Sequence, residues 1–587
     1  MSASPPRLIL DDPVHAGLRV FDSPIGIVEA RDPADVPRAL AQIDHAVRAG
    51  RYVAGYFSYE LGYALERKLA HHLWPERSIP LLWFGIFESC EHADVPATGA
   101  RAYAGPLRHE WDERAYGERF AGAHALIAAG DFYQVNLTFR SRFAFAGEPL
   151  ALYRELRAAS RASHCAYVDD GERQILSLSP ELFFDLSSSR ILTVRPMKGT
   201  APRGSDAQSD AAARAALLAS EKDRAENLMI VDLLRNDLGR IAEIGSVETG
   251  QLFEIETYPT LHQMVSSITA TLKRGQSVGD IVHALFPCGS VTGAPKIRAM
   301  EAIREMEAGP RGAYCGAIGH FAPDGSAHFN VAIRTITIQG GRGELGIGGA
   351  VTHDSHSADE YRECLLKALY YERARRPLEL IETLRHSAGA GFVRIAQHLA
   401  RMARSAGVFG IAFDEGAARD ALDKAVAGSA TNMRVRLTLA ENGAFACTAV
   451  PVVGSPQRLT YVLSPQKTNS GDVLLRHKTN WRDLYDTEQR HAALECGADE
   501  ILFVNERGEL TEGSRTNLFV EKAGRLLTPA LACGVLDGCL RQALIAEGRC
   551  IEAVLTPDDL ARADIAYLGN SLRGLVRAEA VAQAHAT

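Results

Sequence analysis

The sequence predicts a globular protein that mixes α-helices with β-strands and is built from more than one domain. The chain has 587 residues, of which 46% are apolar and 23% are charged, a balance typical of chains that bury sizeable cores. Strand-like segments alternate along it with amphipathic helical segments. We see no internal repeat of the kind that marks solenoids or propellers. Length alone favours about two to four domains.

A change of pattern near residue 376 marks the expected domain boundary. The charged helical stretch ADEYRECLLKALYYERARRP ends at Pro377, where LELIETLRHSAGAGF begins a fresh apolar pattern with its own Gly-rich turn. We therefore expect one domain over residues 1–375 and another over residues 378–587. An ordinary loop between helices is the alternative interpretation of this stretch.

Charge and hydropathy exclude several classes of function. The net charge is −8, and no Lys/Arg block or basic patch with interleaved aromatics is present, so we expect no nucleic-acid partner. We find neither a basic leader nor a run of about eighteen apolar residues, and so expect a cytoplasmic protein without membrane contact. The 10 cysteines occur singly, without C-x-x-C pairs, which favours reduced thiols over zinc ligands or disulfides.

Two pairs of acidic residues are candidates for metal binding. Residues 220–240 form a predicted helix that Ser220 caps. Each acidic pair has a spacing of i, i+3 and so shares one helix face: Asp223 with Glu226, and Glu360 with Glu363. Four carboxylates from two helices could converge on one Mg²⁺ ion, which prefers oxygen ligands. Solvated helix faces are the alternative.

The stretch GSVTGAPK resembles a phosphate-binding loop only superficially. Three residues separate its glycines and Pro295 precedes Lys296, whereas the loop of nucleotide-binding enzymes requires G-x-x-x-x-G-K-[ST]. We therefore expect no nucleotide there.

Eight motifs in the first domain occur together in one order. They are GDFYQVNLTFR (130–140), SLSPELFF (177–184), PMKGTAPRG, DRAENLMIVDLLRNDLGR, FPCGSVTGAPKIRAMEAI, RGAYCGAIG, AIRT and GIGGAVTHDS. This series resembles chorismate-utilising enzymes, namely anthranilate synthase and aminodeoxychorismate synthase component I, over nearly all of residues 1–375. The resemblance implies an α+β fold in which two large antiparallel sheets form a sandwich, with helices outside and the site between the sheets.

The resemblance also implies roles for single residues. Glu226 and Glu363 would bind Mg²⁺ directly, with Asp223 and Glu360 nearby, and the metal would neutralise one carboxylate of chorismate. Glu181 of SPE matches the general acid for the departing 4-hydroxyl, and His262 of YPTLHQMVSS matches an active-site histidine. The residues that match substrate-binding positions are Thr292, Tyr314, Arg334, Gly348 and Gly349.

Lys198 separates two branches of this family. It stands in VRPMKGTAPRG, where anthranilate synthases resemble this chain but carry alanine. Aminodeoxychorismate synthases have lysine there, and its amine is thought to add to C2 of chorismate before ammonia attacks C4. This role requires a neutral amine and hence a lowered pKa. A lysine that merely binds a substrate carboxylate is the alternative.

The second domain resembles fold-type IV enzymes that use pyridoxal phosphate. The resemblance covers about residues 378–587 and rests on ETLRHSAGAGFVRIAQHLARMARSAGVFG, LLRHKTNWRDLYD, DEILFVNERGELTEGSRTNLFV, GVLDGCLRQALI and GNSLRGL. That family includes branched-chain and D-amino-acid aminotransferases and 4-amino-4-deoxychorismate lyase. It implies a two-subdomain α/β fold like that of D-amino-acid aminotransferase, and a possible homodimer formed through this domain.

Cofactor residues follow from the same resemblance. Lys478 would form the Schiff base with pyridoxal phosphate, Glu512 would pair with the pyridinium nitrogen, and Arg401 of HLARM would bind the phosphate. The loops on the phosphate side would supply Gly538, Cys539, Asn570 and Ser571. This chain departs from the usual K-x-x-N-x-L after the lysine, since it reads K-T-N-W-R-D-L-Y.

Together the two resemblances predict a bifunctional enzyme of 4-aminobenzoate synthesis. The first domain would convert chorismate and ammonia to 4-amino-4-deoxychorismate, and the second would eliminate pyruvate from it. No G-x-C-x-G motif surrounds any cysteine, so a separate glutamine amidotransferase would supply the ammonia. Three alternatives remain: an anthranilate synthase-like domain fused to an aminotransferase, transamination instead of elimination, and a metabolite sensor without activity.

Overall fold

The computed structural model describes residues 5–12, 17–96, 99–452, 454 and 456–581. Its internal contacts divide the chain into two compact units. The first unit comprises Met1–Ala97, Leu107–Phe143 and Tyr153–Arg375, and the second comprises Thr98–Pro106, Ala144–Leu152 and Arg376–Thr587. The second unit is therefore discontinuous in sequence, because it includes two short segments from the first half of the chain.

The strands before residue 376 are β1 (Arg7–Asp11), β2 (Leu18–Asp22), β3 (Gly26–Ala30), β4 (Tyr52–Phe57), β5 (Leu82–Phe87), β6 (Glu91–Ala93), β7 (Ala102–Ala104), β8 (Arg108–His109), β9 (Gln134–Gly147), β10 (His164–Asp169), β11 (Gln174–Ser179), β12 (Leu182–Leu186), β13 (Ile191–Arg195), β14 (Met197–Pro202), β15 (Glu248–Thr249), β16 (Glu254–Thr257), β17 (Leu261–Val265), β18 (Ile268–Thr271), β19 (Gly293–Ala294), β20 (Ala317–Phe321), β21 (Ala327–Val331), β22 (Thr335–Gln339) and β23 (Arg342–Val351).

The later strands are β24 (Glu379–Ser387), β25 (Gly391–Phe392), β26 (Met433–Ala440), β27 (Phe445–Pro451), β28 (Arg458–Thr468), β29 (Glu500–Asn505), β30 (Leu510–Gly513), β31 (Asn517–Lys522), β32 (Arg525–Pro529), β33 (Ile551–Ala553), β34 (Ile565–Asn570) and β35 (Gly574–Ala580). The helices are α1 (Val36–Arg48), α2 (Leu61–Leu65), α3 (Glu113–Ala128), α4 (Pro149–Ser160), α5 (Ala207–Ala219), α6 (Glu221–Ile241), α7 (Val278–Leu285), α8 (Lys296–Met306), α9 (Ser357–Ala374), α10 (Ile395–Phe409), α11 (Glu415–Val426), α12 (Asp483–Cys496), α13 (Cys539–Ala546) and α14 (Pro557–Ala561).

Two large antiparallel sheets form the first unit. One has the strand order β19-β9-β23-β22-β11-β10-β1-β2-β6, and the other has the order β15-β18-β13-β12-β21-β20-β4-β5-β3. Their apolar faces share one core, to which both sheets contribute buried side chains: Leu8, Val168 and Ile175 from the first, and Tyr56, Trp83 and Ile318 from the second. Two sheets that share a core in this way form a sandwich, and this confirms the predicted fold of the first domain. A small third sheet, β14-β17-β16, carries Lys198.

The second unit contains two further sheets. Strands β25-β24-β26-β27 pair in antiparallel fashion, and residues of α10 and α11 cover them in a core that includes Leu380, Leu399, Leu422 and Leu437. The other sheet has the order β30-β29-β28-β35-β34-β31-β32-β33, with parallel pairs at β28–β29, β28–β35 and β32–β33. These two sheets, each with its own helices and core, agree with the predicted two-subdomain α/β fold.

Local sequence signals explain the helix that carries the first acidic pair. The Ser220 hydroxyl accepts a hydrogen bond from the backbone N–H of Asp223 at 3.2 Å, which satisfies one of the free donors at the start of α6. The helix over residues 220–240 and its cap are thereby confirmed.

Two sequence expectations about cysteines and membranes can also be compared with the structure. All ten cysteines are free thiols. In the parts of the chain that the structure describes, no helix is both long and apolar enough to cross a bilayer.

Phe329 on β21 tests the core of the first unit. Its side chain is fully buried, and its ring stacks on those of Phe184 at 5.0 Å and Phe57 at 5.7 Å. Phe329→Ala should lower the free energy of local unfolding by about 3–5 kcal/mol, because truncation leaves a cavity. Hydrogen exchange of peptides from β12, β20 and β21 would measure this. Ile244→Ala is the control, since Ile244 is fully exposed, and it should stay within about 0.5 kcal/mol of wild type. Equal exchange in the two variants would contradict the role of Phe329.

Candidate active sites

One cavity in the first unit brings together most residues predicted for the chorismate site. The predicted residues on its wall are Glu181, Lys198, Asp223, Glu226, Tyr314, Arg334, Gly348, Glu360 and Glu363. They come from segments far apart in sequence, including β14, α6, β23 and α9. The cavity therefore combines five carboxyl groups with basic groups, a combination suited to an anionic ligand that binds through a metal ion.

Lys198 reaches this cavity because β14 is irregular there. The pairing register of β14 with β17 shifts between Met197 and Thr200, and Gly199 adopts a φ of 95°, which favours glycine. Such bulges redirect a side chain relative to its strand. The Lys198 Nζ atom lies 3.5 Å from Asn136 Oδ1. Burial lowers the pKa of Lys198, an effect that Lys367 reinforces and Glu226 opposes.

Glu181 precedes β12 and points into the same cavity. Its Oε1 atom accepts hydrogen bonds from the Ser290 hydroxyl at 2.6 Å and from the Met197 backbone N–H at 3.4 Å. Burial raises the pKa of Glu181 to about 7, although the bond from Ser290 acts in the opposite direction. A carboxylic acid that keeps its proton near neutral pH is suited to general acid catalysis.

The four predicted metal ligands lie on two helices and interact with two lysines. The ammonium group of Lys222 is 3.5 Å from Glu360 Oε1, and that of Lys367 is 2.8 Å from Glu363 Oε1. Burial raises the pKa of three of the four carboxyl groups, and a neighbouring carboxylate raises each of them further. These three residues are Asp223, Glu226 and Glu360. Among the described residues, no three of these four carboxylates bring oxygens within 4.8 Å of one another. The oxygen donors and their mutual repulsion fit a divalent cation.

Two residues of the cavity wall, Tyr314 and Arg334, depend on particular features of the backbone. A Cβ atom at Gly346 would lie 2.2 Å from the ring of Tyr314, so only glycine leaves room for that ring. Arg334 has a φ of 50° and its Nη2 atom donates to Gln263 Oε1 at 3.4 Å. Burial lowers the pKa of Arg334. The guanidinium remains the natural partner for a carboxylate in this cavity.

Three predicted residues are not among those that line the cavity in the described part of the chain. The ring of His262 is bonded on both sides, to Asp210 Oδ1 at 3.0 Å and to Thr257 Oγ1 at 2.9 Å. Thr292 donates its hydroxyl to the carbonyl oxygen of Cys288 at 2.8 Å. Gly349 follows Gly348 in β23. The structure therefore bonds the His262 side chain to residues of β16 and α5, and its predicted role as an active-site histidine stays a prediction.

Sequence reasoning missed six polar residues of this wall: Asn136, Thr200, Lys222, Gln263, Ser290 and Lys367. Asn136, Thr200 and Ser290 stand within the motifs that carried the resemblance. Lys367 lies four residues after Glu363 on α9 and so on the same helix face, a spacing that could have indicated an ion pair.

A second cavity, of about 580 Å³, lies in the second unit. It is lined by every residue predicted for pyridoxal phosphate, namely Arg401, Lys478, Glu512, Gly538, Cys539, Asn570 and Ser571. Lys478 is held through its carbonyl oxygen, which accepts from the Ile381 N–H at 2.8 Å. Burial lowers the pKa of the Lys478 amine to about 8, and the nearby Arg401 contributes in the same direction.

Arg401 belongs to a buried group of four polar residues that bond to one another. The guanidinium donates to both oxygens of Glu382, at 2.8 Å and 2.6 Å. The same carboxylate bonds His398 Nδ1, whose Nε2 atom lies 2.9 Å from Ser571 Oγ. Burial opposes ionisation of Glu382, but Arg401 and His398 lower its pKa to about 2. Glu382 and His398 were not predicted, although both stand in the quoted segment over residues 382–410.

Glu512 lies in the same cavity as Lys478 and is anchored on both oxygens. Oε1 accepts from the Tyr485 hydroxyl at 3.2 Å, and Oε2 accepts from Asn517 Nδ2 at 3.1 Å. Burial raises the pKa of Glu512 to about 8. A carboxyl group of this kind is a natural partner for a ring nitrogen that is to be protonated.

The other end of the cavity fits a phosphate. Helix α13 starts at Cys539 after Gly538, and no side chain caps it, so its first N–H groups remain available to an anion. A Cβ atom at residue 538 would lie 1.9 Å from Asn517 Oδ1, so glycine is required there. With Arg401, Ser571, Lys478 and Glu512 on the same wall, the donor set fits pyridoxal phosphate.

The two cavities are candidate sites for anionic ligands, and comparison with known proteins gives the family of the chain. The family model "chorismate binding enzyme" matches residues 5–370. The chain therefore belongs to the chorismate-binding enzymes. A second model, "Amino-transferase class IV", matches residues 379–581, so a class IV domain is fused behind the chorismate-binding domain.

Individual relatives agree with this assignment. The aminodeoxychorismate synthase of Streptomyces griseus is 46% identical over 281 residues, which are 48% of this chain and 38% of the relative. Aminodeoxychorismate synthase component 1 of Klebsiella aerogenes is 41% identical over 293 residues, which are 50% of this chain and 63% of the relative. These alignments span less than two thirds of each relative. The crystal structure of anthranilate synthase component I from Streptococcus pneumoniae TIGR4 superposes with a TM-score of 0.52 at 24% identity, covering 62% of this chain and 91% of that one, and so shares the fold.

Glu382 allows a test of the buried group around Arg401. Glu382→Gln should destabilise the protein by about 3–5 kcal/mol, because it leaves a buried guanidinium without its counter-ion. The folded-state pKa of about 2 lies below the ordinary 4.5, so the stabilisation is complete above pH 4.5 and disappears as the pH falls towards 2. Urea unfolding at several pH values would therefore give a difference between the two proteins that shrinks below pH 4.5.

The matched control is Glu415→Gln. Glu415 also pairs with an arginine, Arg419, but both side chains are largely exposed, so the change should stay within about 0.5 kcal/mol. A wild-type-like stability of the Glu382 variant at neutral pH would contradict the interpretation.

Proposed function

We propose that this protein is a bifunctional enzyme that makes 4-aminobenzoate from chorismate. The first unit aminates chorismate at C4 to give 4-amino-4-deoxychorismate, and the second unit eliminates pyruvate from that product. The observation that carries the proposal is the buried amine of Lys198 in a cavity it shares with Glu181 and four further carboxylates. The similarity to aminodeoxychorismate synthases supports the same assignment.

In the first reaction, Lys198 acts as a nucleophile and Glu181 as an acid. The neutral amine adds to C2 of chorismate, both ring double bonds shift towards C4, and the C4–O bond breaks as Glu181 protonates the departing hydroxyl. Ammonia then attacks C4, both double bonds shift back, and the C2–N bond to Lys198 breaks. Burial supports both roles, because it favours the neutral form of each group. Asp223, Glu226, Glu360 and Glu363 would hold Mg²⁺, which neutralises a substrate carboxylate.

In the second reaction, the residues of the larger cavity divide into three groups. Arg401, Ser571 and the start of α13 bind the phosphate, and Glu512 pairs with the ring nitrogen. Pyridoxal phosphate, when bound, supplies an electron sink. Lys478, whose pKa is lowered to about 8, takes the proton from C4 of the amino substrate. Loss of that proton makes the ring aromatic as the C3–O bond breaks and the three-carbon unit leaves, to become pyruvate when it gains a proton.

Ammonia comes from a separate protein in this proposal. No cysteine of the chain stands in a G-x-C-x-G motif, which a glutamine-hydrolysing nucleophile would require. The relative from Klebsiella aerogenes is named component 1, which is in keeping with a second component. The purified chain should therefore be assayed with ammonium salts.

Transamination is the second candidate for the class IV domain. It is favoured by the family model that matches this part of the chain, whose name refers to aminotransferases. The two reactions differ in their needs, because transamination requires an amino acceptor and elimination does not. Pyruvate released from 4-amino-4-deoxychorismate without any acceptor would decide for elimination.

Substitution of Lys198 and substitution of Lys478 should impair different reactions. Lys198→Ala should lower formation of 4-amino-4-deoxychorismate on the order of 10²-fold or more, because it removes the nucleophile. Lys478→Ala should leave that step intact, lose the visible absorbance of lysine-attached cofactor, and accumulate the amino intermediate. The measurement is product analysis after incubation with chorismate, Mg²⁺ and an ammonium salt.

Lys467→Ala serves as the control, since Lys467 is exposed on β28. It should give normal amounts of 4-aminobenzoate. Near-normal output from either of the two lysine variants, after spontaneous conversion is subtracted, would refute the role of that lysine.

The pH dependence of the first reaction should depend on Ser290. Because Glu181 must carry a proton and has a pKa of about 7, the rate should fall as the pH rises through that value. Ser290→Ala removes a hydrogen bond that favours the ionised carboxylate, so the falling limb should move up by about one pH unit. The measurement is kcat/KM for chorismate between pH 6 and about 9 at a constant concentration of free ammonia. An unchanged limb, or one moved to lower pH, would count against Glu181 as the acid.

A further inference from the structure

Part of the second unit is built from the first half of the sequence. Strand β7 pairs with the end of β9, with Tyr103 opposite Ala146, and both residues belong to the same apolar core as α10. The Tyr103 side chain is fully buried. Its ring meets that of Phe409 edge-on at 4.9 Å and lies 6.2 Å from that of Trp481. Strand β7 and the end of β9 therefore belong to the second unit, which contains the class IV domain.

Arg101, immediately before β7, contacts the segment that carries the cofactor lysine. Its Nε atom donates to Asp472 Oδ2 at 2.7 Å, and its Nη1 atom donates to the carbonyl oxygen of Trp481 at 2.9 Å. Asp472 and Trp481 stand at the two ends of the segment 472–481, and Lys478 lies between them. One guanidinium thus joins both ends of the loop that presents Lys478.

Asp472 couples Arg101 to the local backbone of this loop. Its second oxygen, Oδ1, accepts from the backbone N–H of Leu474 at 2.9 Å and caps the 3₁₀ turn over Val473–Arg476. That turn ends two residues before Lys478. Because a guanidinium is planar and its donors have fixed spacing, the bonds from Arg101 set the separation of Asp472 Oδ2 and the Trp481 carbonyl oxygen.

Strand β24 holds the same loop at a different place. The backbone N–H of Ile381 donates to the Lys478 carbonyl oxygen at 2.8 Å, and that of Glu379 donates to Asn480 Oδ1 at 2.9 Å. These bonds hold residues 478–480, and the ring of His477 lies 2.9 Å from the Ser405 hydroxyl. Arg101 adds a bond at each end of the segment, and Lys478 between them lines the same cavity as Glu512 and Arg401.

The two partners of this ion pair differ in exposure. The Arg101 side chain is 35% exposed, whereas that of Asp472 is 6% exposed. Loss of the guanidinium would leave the buried Asp472 carboxylate without this partner, so stability alone cannot separate positioning of Lys478 from general stabilisation. Cofactor affinity and the spectrum of the attached cofactor separate them, because they report on Lys478.

We propose that Arg101, supplied by the first half of the sequence, is a positioning residue for Lys478 in the class IV domain. By joining Asp472 to Trp481 it keeps the lysine amine in the cavity at the place where the cofactor is attached. The inference rests on the proposed function only for the identity of the cofactor and of its lysine.

The test uses the full chain and measures cofactor binding as well as catalysis. Arg101→Gln should raise the Kd for pyridoxal phosphate roughly tenfold, which corresponds to about 1.4 kcal/mol, and should weaken the absorbance band of lysine-attached cofactor at saturation. Arg101→Lys keeps a charge for Asp472 but cannot span both acceptors, so its values should lie between those of the glutamine variant and wild type. With saturating cofactor, kcat for pyruvate release should fall while KM changes little.

Arg142→Gln is the matched control. Arg142 also lies in the first half of the chain and forms a partly exposed ion pair, with Glu344 at 3.0 Å. It should bind the cofactor like wild type. Wild-type affinity and spectrum in Arg101→Gln would overturn the proposal. If that variant fails to fold, Arg101→Lys decides in the same way. Absence of cofactor binding in the wild-type protein would instead refute the proposed function.

Discussion

Each cavity depends on keeping a lysine amine out of water without trapping it in an ion pair. Lys198 is 9% exposed, yet among the described residues no carboxylate oxygen lies within 4.0 Å of its amine. Two of the acids on the cavity wall are paired with other lysines, Glu360 with Lys222 and Glu363 with Lys367. Burial can then lower the pKa of Lys198 even in an acidic cavity. Lys367 acts on that pKa in the same direction as burial.

In the second cavity too, a cation lies near the buried lysine amine. Arg401 lies close enough to lower the pKa of Lys478 further, and its own charge is balanced by Glu382, which bonds it through both oxygens. His398 extends this group to Ser571, so Arg401 and Ser571, which we propose to bind the phosphate, belong to one hydrogen-bonded group. Glu512, with a pKa of about 8, remains available to exchange a proton with a basic ring.

The sequence predicts elements and residue sets better than it predicts which way a side chain points. Alternation along β26, with Val435 buried and Arg434 exposed, and the Ser220 cap of α6 are local signals that short-range physics decides. His262 shows where prediction of side-chain direction from the sequence reaches its limit. Neighbouring residues of a strand face opposite sides, and in β17 it is Gln263 that lines the cavity. The motif match predicted a role for His262 alone, whereas the orientation of β17 decides which of the two side chains faces the cavity.

Contacts across long stretches of sequence are the part that no local pattern could supply. Arg101 and Asp472 are 371 positions apart, and nothing in the composition of residues 98–106 distinguishes them from an ordinary loop of the first domain. Their place in the second unit follows from β9, whose last residues pair with β7 and share the core of α10. A cut at residue 376 would therefore separate the class IV domain from segments of its own core.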